Sequence, residues 1–308
     1  MDAENAVVVI TGASSGMGRE AALELNRRGA TVYAAARRAM PDLEDVGIHT
    51  VSLDVTDDTS ITAAVEHVLG EAGRVDILIN NAGYGSYGAI EELPIDEARR
   101  QFEVNVFGAM RLTQLVVGGM RERGHGRIVN VSSVGGKFSM AFGGWYHATK
   151  HALEALSDAL RQELKQFNVD VVIVEPGLVA TDWPIIAARN LRDVSGDGPY
   201  GPIARGLASA FEYGGPRFGA DATDLGRLIA DVSLTDHPRT RYRNSLGNAA
   251  MLTLMKFLPG RATDAIILRA LGKADDLVTR MREKFGEDGS EEEASAEERP
   301  DSARSAVG

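Results

Sequence analysis

Val7-Val8-Val9-Ile10-Thr11-Gly12-Ala13-Ser14-Ser15-Gly16-Met17-Gly18 is the stretch whose reading decides the fold. Its first four residues form a continuous apolar run, the mark of a parallel strand covered on both faces. Thr11-Gly12 ends that run, and a helical pattern follows from about Gly16 to Arg28, closed by Gly29. A strand that turns through glycines into a helix opens a βαβ unit. Gly12 permits a tight turn, Gly16 lets a pyrophosphate approach the main chain, and Gly18 allows the helix to pack closely on the strand. The free N–H groups and positive dipole end of the helix would then face the anion. Taken alone, the same loop is equally an ordinary glycine-rich βα turn.

Outward from that loop the alternation repeats. Thr31 to Ala36, His49 to Leu53, Val75 to Ile79, Arg127 to Val131, Val169 to Val174 and Arg241 to Ser245 read as further strands. Helical patterns lie at about Ser60 to Leu69, Asp96 to Arg123, Tyr146 to Phe167 and Ala222 to Ser233. In the third of these, Leu153, Leu156, Leu160, Leu164 and Phe167 make one apolar stripe expected to be buried. The fold expected is α/β: a doubly wound parallel sheet of about seven strands with helices on both faces. Residues 1–285 are expected to form one domain. Within it, 178–220 loses its rhythm amid Gly and Pro and reads as an irregular substrate loop, and 249–271 reads as an apolar helical extension. Residues 286–308, rich in Glu, Ser, Ala and Gly, read as a disordered acidic tail.

The second strand bears on which dinucleotide is bound. A site for NAD usually carries Asp or Glu at the strand end to accept from the ribose 2′-OH. Here Ala36 stands in that place, followed by Arg37 and Arg38. Guanidinium grips a phosphate through paired hydrogen bonds, so the pattern favours NADP(H), with Ser14 adding a hydroxyl.

Tyr146 and Lys150 are four residues apart at the start of a helix and share a face. A phenol titrates near 10, and bringing it to neutrality needs roughly 4 kcal/mol. An ammonium about 4 Å away supplies a comparable amount at an effective dielectric near 20. Ser132-Ser133 closes the preceding strand, where open α/β sheets bind ligands, and a serine there can hydrogen-bond a carbonyl oxygen as charge develops on it.

Composition removes other classes. The net charge of -11 argues against a nucleic-acid binder. The absence of cysteine excludes disulfides, zinc–thiolate sites and thiol nucleophiles. Glu91-Glu92 and Glu291-Glu292-Glu293 read as solvated acid, so no metal site is expected. No apolar run reaches membrane-spanning length, and the acidic start lacks the basic and apolar regions of a signal peptide, so the chain reads as cytoplasmic, without membrane association.

Together these residues resemble the short-chain dehydrogenase/reductase family in its roughly 250-residue form. The resemblance runs from Val7 to Leu246 through Gly12-x-x-x-Gly16-x-Gly18, Asn80-Asn81-Ala82-Gly83, Asn105, Ser133, Tyr146-x-x-x-Lys150 and Pro176-Gly177. Val32 to Arg38 looks most like its NADP(H)-preferring steroid and retinol dehydrogenases. The resemblance implies that Tyr146 is the general acid/base, that Lys150 lowers its pKa and holds the nicotinamide ribose, and that Ser133 orients the carbonyl. Asn105 would hold a proton-relay water. Gly12, Ser14, Ser15, Gly16, Met17 and Gly18 would cradle the cofactor's phosphates, with Arg37 and Arg38 at the 2′-phosphate. Asp54 and Val55 would touch the adenine, Asn81, Ala82 and Gly83 would line the cofactor, and Pro176, Gly177, Val179 and Thr181 would fix the carboxamide.

Tyr84, Tyr87, Phe138, Met140, Phe142, Trp145, Trp183, Ile185 and Ile186 are candidate walls for a hydrophobic carbonyl or alcohol substrate. His147 reads as a surface or lid contact. The helices at about 99–122 and 146–167 are the faces this family uses for pairing, which implies a homodimer or homotetramer. Two rival readings are a non-catalytic NADP(H) sensor, which would tend to lose the tyrosine or lysine, and a sugar-nucleotide epimerase or dehydratase, whose glycines are usually spaced differently.

Overall fold

The computed structural model describes residues 3–245, 247, 254 and 257–285. Seven strands form one sheet: β1 (Val7–Thr11), β2 (Thr31–Ala36), β3 (His49–Ser52), β4 (Ile77–Asn80), β5 (Gly126–Val131), β6 (Val169–Glu175) and β7 (Arg241–Arg243). Their order is β3-β2-β1-β4-β5-β6-β7, and every neighbouring pair is parallel. This is the expected doubly wound Rossmann-type sheet. The order reverses between β1 and β4, the switch point where such sheets bind ligands beyond their carboxyl ends.

Strand alternation splits the core into two layers. Val8, Ile10, Val32, Ala34, Ile77, Ile79, Val129 and Val172 point to one face, where they pack with Ala21, Ala22 and Leu25 of α1 (Gly16–Arg27) and Ile229 of α9 (Ala222–Leu234). Val7, Val9, Tyr33, Leu78, Ile128 and Val171 point to the other, against Ile61 and Val65 of α3 (Asp58–Ala72) and Leu112 and Val116 of α5 (Gly108–Arg123). Both faces of β1 are therefore covered, which is why its sequence is apolar without a break. A short helix, α2 (Pro41–Glu44), links β2 to β3.

Three expectations need correction. The helix expected over Asp96 to Arg123 is α4 (Ile95–Phe102) and α5 joined by a π turn, Glu103–Phe107. On α6 (Gly144–Leu164) the stripe is not uniformly buried, since Leu156 is 41% exposed. The buried face of that helix is instead largely polar, with Tyr146, Thr149, Lys150, Glu154 and Ser157. Residues 178–220 are not irregular: they hold α7 (Trp183–Ser195) and α8 (Gly201–Phe218). Pro184 and Pro202 lie in the first turns of these helices, where the missing N–H costs no bond. The extension contains α10 (Gly260–Leu271), and α11 (Ala274–Phe285) follows it. Most of 246–256 and the expected tail at 286–308 lie outside the described residues.

Candidate active site

The cradle forms because β1 ends in a turn that only glycine accommodates freely. Gly12 has φ +67, and a Cβ there would stand 2.9 Å from Ala82 Cα. A Cβ on Gly18 would collide with Asn81 Nδ2 and the Gly12 carbonyl oxygen. Thr11 stitches this turn to the loop after β4: its hydroxyl accepts from the amides of Asn81 (3.1 Å) and Ala82 (2.9 Å). Asn81 Nδ2 donates back to the carbonyls of Thr11 and Gly12. Ser15 begins α1 without a side-chain cap, so the amides of the helix's first turn are left for another acceptor.

Ala36 and the two arginines follow at the end of β2. Arg38 Nη2 donates to Ser14 Oγ at 3.1 Å and reaches Ser15 Oγ at 3.5 Å. Of the expected pair, Arg38 is thus the one over the cradle, whereas Arg37 lies where its charge reaches Asp54 and Tyr84. Asp54 Oδ1 accepts from the amide and hydroxyl of Thr56. Val55 lies against Gly108, where a Cβ would be 2.8 Å from Val55 Cβ. Thr181 closes over the cradle, its Cγ2 being 3.3 Å from a Cβ built on Gly16. The backbone of Val179 bridges Ala220, and Gly177 donates to Asn244 Oδ1. Met17 is half-buried and packs on the sheet layer beneath α1.

Ser133, Tyr146, Lys150 and Asn105 come together beyond the carboxyl ends of β4 and β5, and all four are buried. Ser133 Oγ accepts from the Gly135 amide at 3.0 Å and faces the Pro176 carbonyl at 3.4 Å. Lys150 Nζ donates to the Val131 carbonyl at 3.0 Å, and a Cβ on Gly83 would stand 3.4 Å from it. Asn105 Nδ2 donates to the Tyr84 carbonyl (2.8 Å) and Thr149 Oγ1 (3.0 Å), while its Oδ1 accepts from the Tyr84 amide. That side chain is already engaged with its neighbours.

The electrostatics differ from the expected lowering of the phenol. Burial pushes the Tyr146 phenol up to about 12, with the Ser133 hydroxyl pulling the other way. Burial pushes the Lys150 amine down to about 8, opposed by the charge of Glu154. Desolvation outweighs the neighbour because Lys150 is turned to the Val131 carbonyl.

An aromatic cluster adjoins the phenol. Tyr87 packs on Tyr146 (5.8 Å between centroids), on Trp183 (5.8 Å) and on Phe211 (5.2 Å). Phe142 belongs to the same cluster, with φ +67, a conformation that costs a non-glycine residue about 1 kcal/mol or more. Of the other expected wall residues, Met140 packs against the cluster, Ile186 is 49% exposed, and the Tyr84 hydroxyl is bonded to Glu97. His147 is no surface contact: it is buried, with its ring tilted against Phe138 and Nδ1 bonded to the Gly135 carbonyl. Leu207 and Leu191 also belong to the cluster, and Phe211 packs against it. Reading their helices as loop hid them, although the apolar spacing of Leu207 and Phe211 was present.

Among the described residues no cluster suited to a metal ion exists, and no helix is long and apolar enough to cross a membrane. A doubly wound sheet, a glycine cradle at its switch point and a buried Ser-Tyr-Lys group beside it define an α/β oxidoreductase that uses a nicotinamide dinucleotide. Sequence comparison agrees: the short chain dehydrogenase family profile matches residues 6–188. The probable short-chain type dehydrogenase/reductase VdlC of Helicobacter pylori is 37% identical over 88% of this chain and 100% of its own. The NADPH-dependent 3-dehydrocapnine reductase of Ornithobacterium rhinotracheale is 31% identical over 86% of this chain and 97% of its own. A crystal structure of a short-chain dehydrogenase from Streptomyces avermitilis superposes with a TM-score of 0.71 at 33% identity, covering 89% of this chain and 98% of that one. The chain belongs to the short-chain dehydrogenase/reductase family.

Proposed function

We propose that the protein is an NADPH-dependent reductase of hydrophobic ketones or aldehydes, with Tyr146 as proton donor. The observation that carries this reading is the buried group beyond the carboxyl ends of β4 and β5, where Ser133, Tyr146 and Lys150 meet beside a cluster of aromatic side chains. A phenol titrates near 10 and is protonated at neutral pH, the form that reduction needs from a proton donor.

The residues present fit the cofactor. The uncapped first turn of α1 and the side-chain-free surfaces of Gly12, Gly16 and Gly18 suit a pyrophosphate, and Arg38 with Ser14 and Ser15 suits a 2′-phosphate. Arg37, Asp54 and Val55 would flank the adenosine, and Asn81, Ala82 and Gly83 the middle of the molecule. Pro176, Gly177, Val179 and Thr181 would bound the nicotinamide end. When bound, NADPH supplies the hydride. Ser133 Oγ orients the carbonyl oxygen, Tyr146 delivers a proton to it, and Lys150 holds the ribose hydroxyls. The Asn105 side chain, bonded to the Tyr84 main chain and to Thr149 Oγ1, ties the loop after β4 to α6 beside the site. Tyr87, Phe142, Trp183 and Phe211 exclude water and receive an apolar substrate. The similarity to an NADPH-dependent 3-dehydrocapnine reductase supports the reductive direction and NADPH as reductant. A panel of aliphatic and aromatic ketones and aldehydes, followed by NADPH and NADH absorbance, tests the reading; no oxidation of either cofactor by any member would refute it.

The pH dependence follows from the two side chains. Tyr146 stays protonated across the working range, whereas the Lys150 amine loses its charge through about 8. Reductive kcat/KM is therefore expected to be flat at neutral pH and to fall tenfold per unit well above 8. A rate that rises through that range would show that a base, not an acid, limits turnover.

The protein is further proposed to be a homodimer or homotetramer. Phe107, 54% exposed in the π turn, and Leu156, 41% exposed on α6, lie on the helices this family uses for pairing. Light scattering at micromolar concentration is expected to give two or four times the chain mass; the mass of one chain would reject the interface.

A further inference from the structure

The segment proposed to bound the nicotinamide end of the cofactor is held from several sides. The Pro176 carbonyl accepts from the Val134 amide at 2.9 Å and faces Ser133 Oγ at 3.4 Å. The Leu178 carbonyl accepts from the Ala220 amide, and the Ala180 amide donates to the Ala220 carbonyl, both at 2.9 Å. Between these fixings, the Gly177 amide donates to Asn244 Oδ1 at 3.1 Å. That bond comes from a side chain at the far edge of the sheet.

Sheet geometry explains why it does. β7 runs parallel to β6 in a register that pairs Ile173 with Arg241, Val174 with Tyr242 and Glu175 with Arg243. In such a pair, alternate amides of one strand face the same neighbour. The Ile173 amide donates to the Thr240 carbonyl at 3.0 Å, so four residues on the Gly177 amide is due to face Asn244. There the ladder has already ended, β6 at Glu175 and β7 at Arg243. A half-buried main-chain N–H still needs an acceptor, and the Asn244 side chain takes the place of the strand carbonyl.

An edge strand of three residues would hold Asn244 weakly by pairing alone. Glu175 strengthens the hold. Its carboxylate is fully buried at the end of β6, with Arg241 Nε 3.1 Å from Oε1 and Arg243 bonded to Oε2. Arg241 also reaches Glu154 Oε2 at 3.0 Å and Asp158 Oδ2 at 2.6 Å on α6. Alternate strand residues share a face, so the two arginines grip the same carboxylate from either side of Tyr242. Peeling β7 away would leave buried charges unpaired, which is strongly unfavourable.

We propose that Asn244 is a positioning residue for the cofactor: through Gly177 it sets the turn against which the nicotinamide lies. Glu175, with Arg241 and Arg243, keeps it in place. This rests on the role given to Pro176, Gly177, Val179 and Thr181 in the proposed function. The phosphorylated adenosine end would be held by Arg38, Ser14 and Ser15, beyond β1 and β2 on the other side of the switch point. The two ends of the cofactor therefore answer to different residues.

That separation gives a test that general loss of structure would not pass. NADPH and 2′-phospho-ADP-ribose share their phosphates and both riboses and differ by the nicotinamide ring. Binding of each is measured by calorimetric titration to the wild-type chain, Asn244→Leu and Asn244→Asp. Leucine matches asparagine in size but accepts no hydrogen bond, whereas aspartate keeps an acceptor in the same place. Asn244→Leu is expected to weaken NADPH by about three- to tenfold, the fold equivalent of one hydrogen bond, and to leave 2′-phospho-ADP-ribose within about twofold. Asn244→Asp is expected to keep the wild-type ratio of the two affinities. A ratio unchanged in Asn244→Leu, whether both ligands are held as before or weakened alike, would overturn the proposal. So would a ratio lost equally in Asn244→Asp. If leucine is not accommodated, Asn244→Ala, which removes the acceptor without adding bulk, decides in the same way. A wild-type chain that binds neither ligand would refute the cofactor reading itself, and this proposal with it.

Discussion

Tyr146→Phe is expected to lower reductive kcat by roughly 10²–10⁴-fold, the usual worth of a positioned general acid, while NADPH still binds. The change removes one hydroxyl from a ring held by Tyr87 and Trp183, so the aromatic packing is kept. What is lost is the proton that neutralises the oxygen as hydride reaches the carbon. The cofactor's contacts with the cradle do not involve that hydroxyl, so fluorescence titration with NADPH should give a dissociation constant within about threefold of the original, less than 1 kcal/mol. A variant that retains its turnover would show that the proton comes from elsewhere.

The second large effect concerns the cofactor. Arg38→Asp replaces a guanidinium that lies against Ser14 and Ser15 with a carboxylate. Two charge-assisted hydrogen bonds to a 2′-phosphate, each worth about 1.5–3 kcal/mol, would be exchanged for like-charge repulsion. The new carboxylate is also of the type that accepts from a free ribose 2′-OH. The ratio of kcat/KM with NADPH to that with NADH is expected to fall by about 10²–10⁴, the fold equivalent of those energies. Arg37→Asp should change the ratio less, because Arg37 lies toward Asp54 and Tyr84 and away from the serines. Equal effects of the two substitutions would show that the phosphate is shared, and no effect of either would remove it from this end of β2.

Much of this was legible from residue order because the physics is local. A strand covered on both faces tends to be apolar without interruption, so β1 stands out, and the glycines after it answer to backbone crowding at a single turn. Tyr146 and Lys150 share a face by helical geometry, which needs no tertiary knowledge. The misread parts depend on context. Pro184 and Pro202 look like helix breakers until their places in first turns are known. Leu156 fits an apolar stripe, but the sheet-facing side of α6 carries the proposed catalytic and ionic side chains instead. Phe211 could be placed in the aromatic cluster only once its segment was known to be α8. The phenol's surroundings depend on context too: a lysine beside a tyrosine can be read from spacing, but the burial of both and the carbonyl that takes the ammonium cannot.

The most direct test follows the hydride and the proton donor together. Purified protein is mixed with NADPH deuterated at the transferring position of the nicotinamide and a ketone selected from the panel, and the product is examined by mass spectrometry in a single turnover. The expected result is deuterium on the carbinol carbon with the wild-type chain and almost none, over the same interval, with Tyr146→Phe. Label appearing at equal rates with both chains, or cofactor consumed without label reaching the product, would contradict the account.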